Sequence, residues 1–402
     1  MHSHQTNRNV AVRAALRSPG RELTSNLIAS PKTLLVCATS LLLASLLSTT
    51  TTQAATYQFE VLSDELEYPW SIDFLPSGDM LVTERGGDLH FLSSDGVLSP
   101  PVAGVPMTYV RSQGGLFDVL LAEDFETSNA VYLSYAKGSP GANATEVIRA
   151  VLADNQLTNI TSITTVTPTK DTAVHYGGRL AWDPSGALLV TTGDGFDYRE
   201  AAQDKNSMLG KLIRIQPNGD LPQDNPFLDQ VGAHPQVFSY GHRNPQGLTV
   251  DRQNQRIYLH EHGPRGGDEL NLIQPGHNYG WPLTSFGIDY TGALISPFET
   301  LPDVTEPLVH WTPSIGASGM TQYRGSAFPE WDGDLFVGAL VERSVRRVDL
   351  DANGGVVGQE ILFQELNARI RDVRVGPDGY LYLLTDAADG QVIRVVPSAT
   401  VE

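Results

Sequence analysis

The sequence predicts an all-β chain folded as a six-bladed β-propeller, with its functional site at the mouth of the central channel. Three observations carry that expectation: a turn-rich composition, one hairpin pattern that recurs six times, and a repeat length of about 60 residues. The 402 residues include 38 Gly and 25 Pro, which favours many short strands over a helical bundle.

Four segments share the pattern: Ile72–Thr83, Leu180–Thr191, Leu248–Leu259 and Val373–Leu383. Each alternates apolar residues, turns through Pro, Asp, Asn or Gly, and resumes an apolar strand. Looser copies lie at Val119–Leu133 and Met320–Val337. A β-sandwich with an extra domain is the rival architecture, but a sandwich does not repeat one hairpin six times. The strand Tyr57–Leu62 is expected to pair with Gln391–Val396 and close the ring. Helical signal is sparse, with Gln203–Leu212 the best short candidate.

Charge divides the chain in two. Residues 1–55 carry +4, from Arg8, Arg13, Arg17, Arg21 and Lys32 against Glu22, and the remaining 347 residues carry −23. After Lys32 comes the apolar stretch Thr33–Ser48, then a small-residue exit ending at Ala55. These are the parts of a cleaved export signal with a long basic n-region. A retained anchor is the competing reading, although about 20 apolar residues are usually needed to span a bilayer. Residues 56–402 are read as one catalytic propeller domain, exported to the periplasm, with no later run apolar enough for stable membrane insertion. The single cysteine, Cys37, excludes a disulfide scaffold and any multi-cysteine metal site. A pI near 4.8 argues against nucleic acid as a partner.

Chemistry should sit in the polar loops between strands. The richest stretch runs from Tyr240 to Pro282 and sets Arg243, His262, Arg265, Asp268 and Glu269 among glycines. Upstream lie Gln113-Gly-Gly115 and His175-Tyr-Gly-Gly-Arg179; downstream, Arg369, Arg371 and Arg374 fall within six residues. In a strand, Arg369 and Arg371 point to one face and suit a ligand with several carboxylates. Taken singly, these residues are equally well read as turn or ion-pair residues. Asp349-Leu-Asp-Ala-Asn-Gly354 with Glu360 fits a calcium-loop pattern, but strand-like residues flank it, so it is expected to be a hairpin turn.

In order, these motifs resemble the soluble pyrroloquinoline-quinone (PQQ)-dependent aldose sugar dehydrogenases of the glucose/sorbosone dehydrogenase group, from Pro69-Trp70 to Arg394. The resemblance implies an exported quinoprotein that oxidises aldoses at C1 to lactones by hydride transfer to PQQ and passes electrons to an external acceptor. It implies His175 as general base, oriented by Asp194, with Arg243 and Asn244 at the quinone carbonyls. Gln113, Tyr290, Arg369 and Arg371 match further cofactor contacts, as do backbone groups of Ala339, Leu340 and Val341. Calcium is implied at the carbonyls of Gly263 and Pro264, and at Glu269 with the Tyr279 carbonyl, all oxygen donors as a hard cation requires. One position departs from the family: Val341 stands where a cofactor-contacting lysine is common, with Arg343 two residues on. A sorbosone-type substrate, a sugar- or protein-binding propeller without redox function, and a calcium-dependent lactonase stand as alternatives.

Overall fold

The computed structural model describes residues 56–398, so the segment read as an export signal lies outside the described residues. Six antiparallel sheets follow one another along the chain. Blade one has three strands, Pro69–Phe74, Met80–Glu84 and Leu89–Leu92, and blade two has Leu116–Leu121, Ala130–Ser139, Ala142–Ala153 and Gln156–Thr165. Blade three comprises Gly177–Trp182, Leu188–Thr192, Lys211–Ile215 and Val237–Tyr240; blade four comprises Pro245–Asp251, Arg256–Glu261, Asp268–Ile273 and Val309–Trp311. Blade five is built from Ala317–Gln322, Leu335–Ala339, Ser344–Leu350 and Val356–Leu362. Blade six takes Ile370–Val375, Leu381–Thr385 and Gly390–Pro397 from one end of the chain and Tyr57–Leu66 from the other.

The first strands of the six blades touch in cyclic order and form the innermost ring. Each neighbouring pair of blades shares an apolar cluster, such as Tyr132, Val147, Leu180 and Val190 between blades two and three. The two inner strands of a blade are therefore covered on both faces, which is why their sequences are nearly continuous apolar runs.

The expected closure is present. Tyr57–Leu66 pairs antiparallel with Gly390–Pro397, placing Phe59 opposite Val395. Tyr57 and Phe59 pack edge-on against Phe363, with ring centroids 4.8 and 5.5 Å away. The calcium-loop look-alike is the hairpin between Ser344–Leu350 and Val356–Leu362, as its flanks foretold.

One expectation fails. Gln203–Leu212 is not helical: a short 3-10 turn covers Arg199–Ala202, and a strand starts at Lys211. Gly210 has φ +68°, where a helix cannot continue. The Lys211 ammonium donates to the carbonyls of Ala201, Ala202 and Leu209 at 2.7, 2.9 and 2.6 Å, taking the place of helical N–H donors.

At the axis a buried charge network ties the blades together. Arg179 pairs with Asp372 at 3.0 Å and lies 4.0 Å over the Trp70 ring. Its guanidinium also donates to the carbonyls of Gln246 and Arg371. Arg374 pairs with Asp118 and Asp372 at 2.9 and 3.0 Å. Of the three clustered arginines, Arg374 therefore belongs to this structural plug.

Candidate active site

Every inner strand begins at the same end of the ring, so the residues just before each inner strand meet at one mouth. Gln113 precedes blade two, His175 blade three, Arg243 and Asn244 blade four, and Arg369 blade six. All of them, with Arg371 and Tyr290, line one cavity of about 240 Å³.

His175 is 5% exposed. Its Nδ1 lies 2.6 Å from Asp194 Oδ1, and its backbone N–H donates to Gln113 Oε1 at 2.8 Å. Close approach of two loops makes the pair possible. A Cβ on Gly193 would sit 2.3 Å from the His175 carbonyl, and one on Gly177, at φ +68°, would sit 2.6 Å from the Thr191 carbonyl. Asp194 is fully enclosed and accepts two more bonds, from Trp281 Nε1 at 2.7 Å and the Phe196 N–H at 2.8 Å. Burial raises the Asp194 carboxyl, but the bond to His175 and the charge of Arg243 outweigh it and hold the group below the usual carboxylate range. Burial lowers His175 and prevails over its bond to Asp194, with Arg243 adding to the effect. The result is an ionised carboxylate holding a neutral imidazole by Nδ1, with Nε2 left for the cavity.

Arg243 is fixed from several sides. Its N–H donates to Glu261, and its Nη1 donates to the carbonyls of His262 and Gly263 at 3.1 and 2.6 Å. Asn244 Oδ1 accepts from the Gly177 N–H at 3.2 Å. Tyr290 is 60% exposed, 6.0 Å from the Arg243 guanidinium, and stacks on Phe196, which in turn meets the His175 ring edge-on.

Arg369 and Arg371 share one carboxylate, Asp386, at 2.7 and 3.0 Å. Arg369 also donates to the Leu340 carbonyl at 3.1 Å. The Nε of Arg371 is buried without a partner. Two guanidinium groups side by side in the wall of the cavity fit an anionic group such as a PQQ carboxylate.

A wider cavity of about 810 Å³ adjoins the first and shares Tyr290, Leu340 and Arg369 with it. Val341 stands on its rim, 64% exposed. Arg343 turns away: its Nη1 lies 3.3 Å from Asn367 Oδ1, and it lines neither cavity. Ala339 is buried in the core between blades four and five and also lines neither.

Glu269 and Glu261 face each other across neighbouring strands and line a third cavity of about 10 Å³, room for one ion or water. Burial raises Glu269 well above its ordinary value, and the nearby Glu261 charge adds to that. A buried carboxylate, Glu261, and a half-buried one, Glu269, around an ion-sized space fit a hard cation. The Tyr279 carbonyl accepts no hydrogen bond among the described residues, while its ring stacks on His242 at 4.9 Å. Gly263 and Pro264 border the same small cavity, where the Gly263 carbonyl already serves Arg243. Asp268 instead clamps backbone, accepting from the N–H groups of Gly263 and Gly316 at 3.0 and 2.8 Å.

The structure adds residues to which the sequence reading gave no role. Glu261 and Trp281 sit inside motifs already noticed, positioning Arg243 and Asp194. Asp386 had a usable signal, since the hairpin register that pairs Ile370 with Thr385 brings it beside Arg369. Lys170, lowered to about 7 by burial, braces the His175 loop by donating to the Thr172 carbonyl at 2.7 Å and Asn143 Oδ1 at 3.1 Å.

A family model described as glucose/sorbosone dehydrogenase matches residues 66–394. The chain is 42% identical over 351 residues to the aldose sugar dehydrogenase YliI of Escherichia coli, covering 85% of this chain and 94% of that protein. The solved apo-form of the soluble aldose sugar dehydrogenase from Escherichia coli superposes with a TM-score of 0.82 at 40% identity, over 85% of this chain and all of that one. The PQQ-bound aldose sugar dehydrogenase from Streptomyces coelicolor gives 0.70 at 26% identity, over 85% of this chain and 98% of that one.

Proposed function

Because this chain belongs to the glucose/sorbosone dehydrogenase family, we propose that it oxidises aldose sugars at C1 to lactones, using bound PQQ and Ca²⁺ and an external electron acceptor. The observation that carries this reading is the His175–Asp194 pair at 2.6 Å, on the wall of a cavity that also holds Arg243 and Asn244.

His175, neutral and held by Nδ1, takes the proton of the sugar's C1 hydroxyl at Nε2. Asp194 fixes that tautomer and stabilises the imidazolium that forms, as a buried carboxylate does behind other catalytic histidines. PQQ, when bound, supplies a carbonyl that accepts the C1 hydride with both electrons. Arg243, anchored through Glu261, presents a fixed positive charge where negative charge develops. Arg369 and Arg371 would hold the cofactor's carboxylates, and Asp386 keeps both guanidinium groups oriented. Glu269 and Glu261 would hold one Ca²⁺, with the Tyr279 carbonyl as a further donor. Gly263 and Pro264 would offer carbonyls to a second ion that polarises the quinone as a Lewis acid. Export to the periplasm rests on residues 1–55, and no helix among the described residues is long and apolar enough to cross a membrane.

Reconstitution tests the reading. Adding PQQ and Ca²⁺ to purified apoprotein is expected to produce aldose-dependent dye reduction with lactone as product. A chain saturated with PQQ that reduces no dye with any aldose would overturn it and favour a binding propeller.

The exposed rim position gives a second test. Val341→Lys is expected to tighten PQQ binding by about 1.5 kcal/mol, roughly tenfold, because it adds a charge-assisted contact. Arg343→Ala should leave affinity unchanged, since Arg343 faces Asn367. Titrating PQQ into the three apoproteins measures both; weaker binding by Arg343→Ala would reverse the assignment.

A further inference from the structure

We propose a site for a first-row transition metal of the Zn²⁺ class on the blade-one hairpin, with Glu84, Asp88 and His90 as ligands. The hairpin turns tightly: the Glu84 N–H donates to the Asp88 carbonyl at 2.8 Å and the Gly87 N–H to the Glu84 carbonyl at 2.9 Å. Val82 stands opposite His90, and Thr83 opposite Leu89. Side chains alternate along strands, so Glu84, Asp88 and His90 share one face, with His90 diagonal to Glu84. One ligand atom from each of the three lies within 4.8 Å of the other two.

Three such residues alone would not make a site; the burial and anchoring of the His90 ring add an independent reason. Its side chain is 9% exposed. Its Nδ1 lies 2.9 Å from the Ser99 carbonyl. A carbonyl only accepts, so Nδ1 carries a hydrogen, and Nε2 is the ring atom an ion would take, displacing any proton held there. Nε2 lies 3.8 Å from Glu84 Oε2, beyond hydrogen-bond distance. An enclosed ring held through Nδ1 by a backbone carbonyl, with Nε2 beside a carboxylate, is how metal-binding histidines are oriented.

The other ligands are ready to respond. Glu84 Oε1 is held by the Glu67 N–H at 2.7 Å, leaving Oε2 turned toward His90. The Asp88 carboxylate is exposed and accepts no hydrogen bond among the described residues. Tetrahedral ligands about 2.0–2.1 Å from Zn²⁺ are about 3.3 Å apart, so a modest rotation of Asp88 closes the site. Water would complete the coordination. An imidazole donor selects against Ca²⁺, which takes oxygen ligands only. Arg85, in the same turn, lines the main cavity, so an ion here would stiffen the hairpin that delivers it.

The test is metal binding, independent of catalysis. The purified chain, stripped of metal and then saturated with Ca²⁺, is titrated with Zn²⁺, and Co²⁺ is added separately for its visible spectrum. Wild type is expected to bind one Zn²⁺ with a micromolar or lower dissociation constant and to give an intense tetrahedral Co²⁺ spectrum. Losing even an outer-shell partner costs ~10–100-fold in affinity, so His90→Ala and Asp88→Asn should each lose at least about tenfold and the spectrum. Asp88 is exposed, so its variant should fold normally, and metal-free melting checks this for both. Absence of Zn²⁺ binding by wild type would overturn the site and leave an ordinary His90–Glu84 ion pair. Unchanged affinity in both variants would place the ion elsewhere and overturn it equally.

Discussion

His175→Ala, reconstituted with PQQ and Ca²⁺, is expected to turn over roughly 10²–10⁴-fold more slowly while retaining PQQ affinity close to wild type. The ring contributes Nε2 to the cavity and Nδ1 to Asp194; Arg243, Asn244, Arg369 and Arg371 do not depend on it for their anchoring. The sign of the pH dependence follows from the same burial. His175 is shifted below the ordinary imidazole value of about 6.5, and the neutral form is the base. The kcat of wild type should therefore rise with pH through that depressed value and be level above about 6.5; the alanine variant should lose this acid limb. Between the depressed folded value and the ordinary unfolded one, the unfolded chain binds more protons. This group's contribution to stability is therefore present above that window and lost as pH falls through it. Stopped-flow turnover at saturating aldose across pH checks the claim. Near-normal turnover of fully loaded His175→Ala would remove the residue from the chemistry.

Removing Ca²⁺ is expected to abolish activity and to lower the melting temperature. An ion that binds only the folded chain stabilises it by about 2.7 kcal/mol at a free concentration one hundred times its Kd. Glu269→Gln separates the ion from the scaffold. In the ion-free protein burial and the Glu261 charge push Glu269 toward its neutral form, which glutamine mimics. The variant should melt like wild type in chelator, yet gain little when Ca²⁺ is returned. Calorimetric melting with and without chelator measures both halves. Identical melting of wild type in the two conditions, after verified ion removal, would discount the Glu261–Glu269 cavity as a calcium site.

The parts of this molecule legible in its sequence are those enclosed on both sides. Ile72–Thr83, Leu180–Thr191, Leu248–Leu259 and Val373–Leu383 each fall on the two inner strands of a blade, where neighbouring blades demand apolar residues throughout. Outer strands left little trace. Gln156–Thr165 is largely polar because most of its side chains face water. The helix expected at Gln203–Leu212 failed because its apolar residues are spent on long-range packing: Met208 and Leu209 join the cluster between blades two and three. At the mouth, motifs located the residues that precede inner strands. Asp386 escaped because its role depends on hairpin register.

The strand that completes blade six has a consequence in time. Glu60 meets Arg394 across 334 positions of chain, a loop whose closure costs about 5 kcal/mol in entropy. During synthesis blades one to five can form in succession, but the sixth waits for the last strand to be made. Until then the growing molecule is an open crescent, with the apolar flanks of blades one and five uncovered and prone to sticking. Arg369, Arg371 and Asp386 arrive with that final blade. The cavity wall that carries both guanidinium groups is therefore assembled last, and a chain cut short before it would carry His175 and Arg243 without Arg369 and Arg371 opposite them.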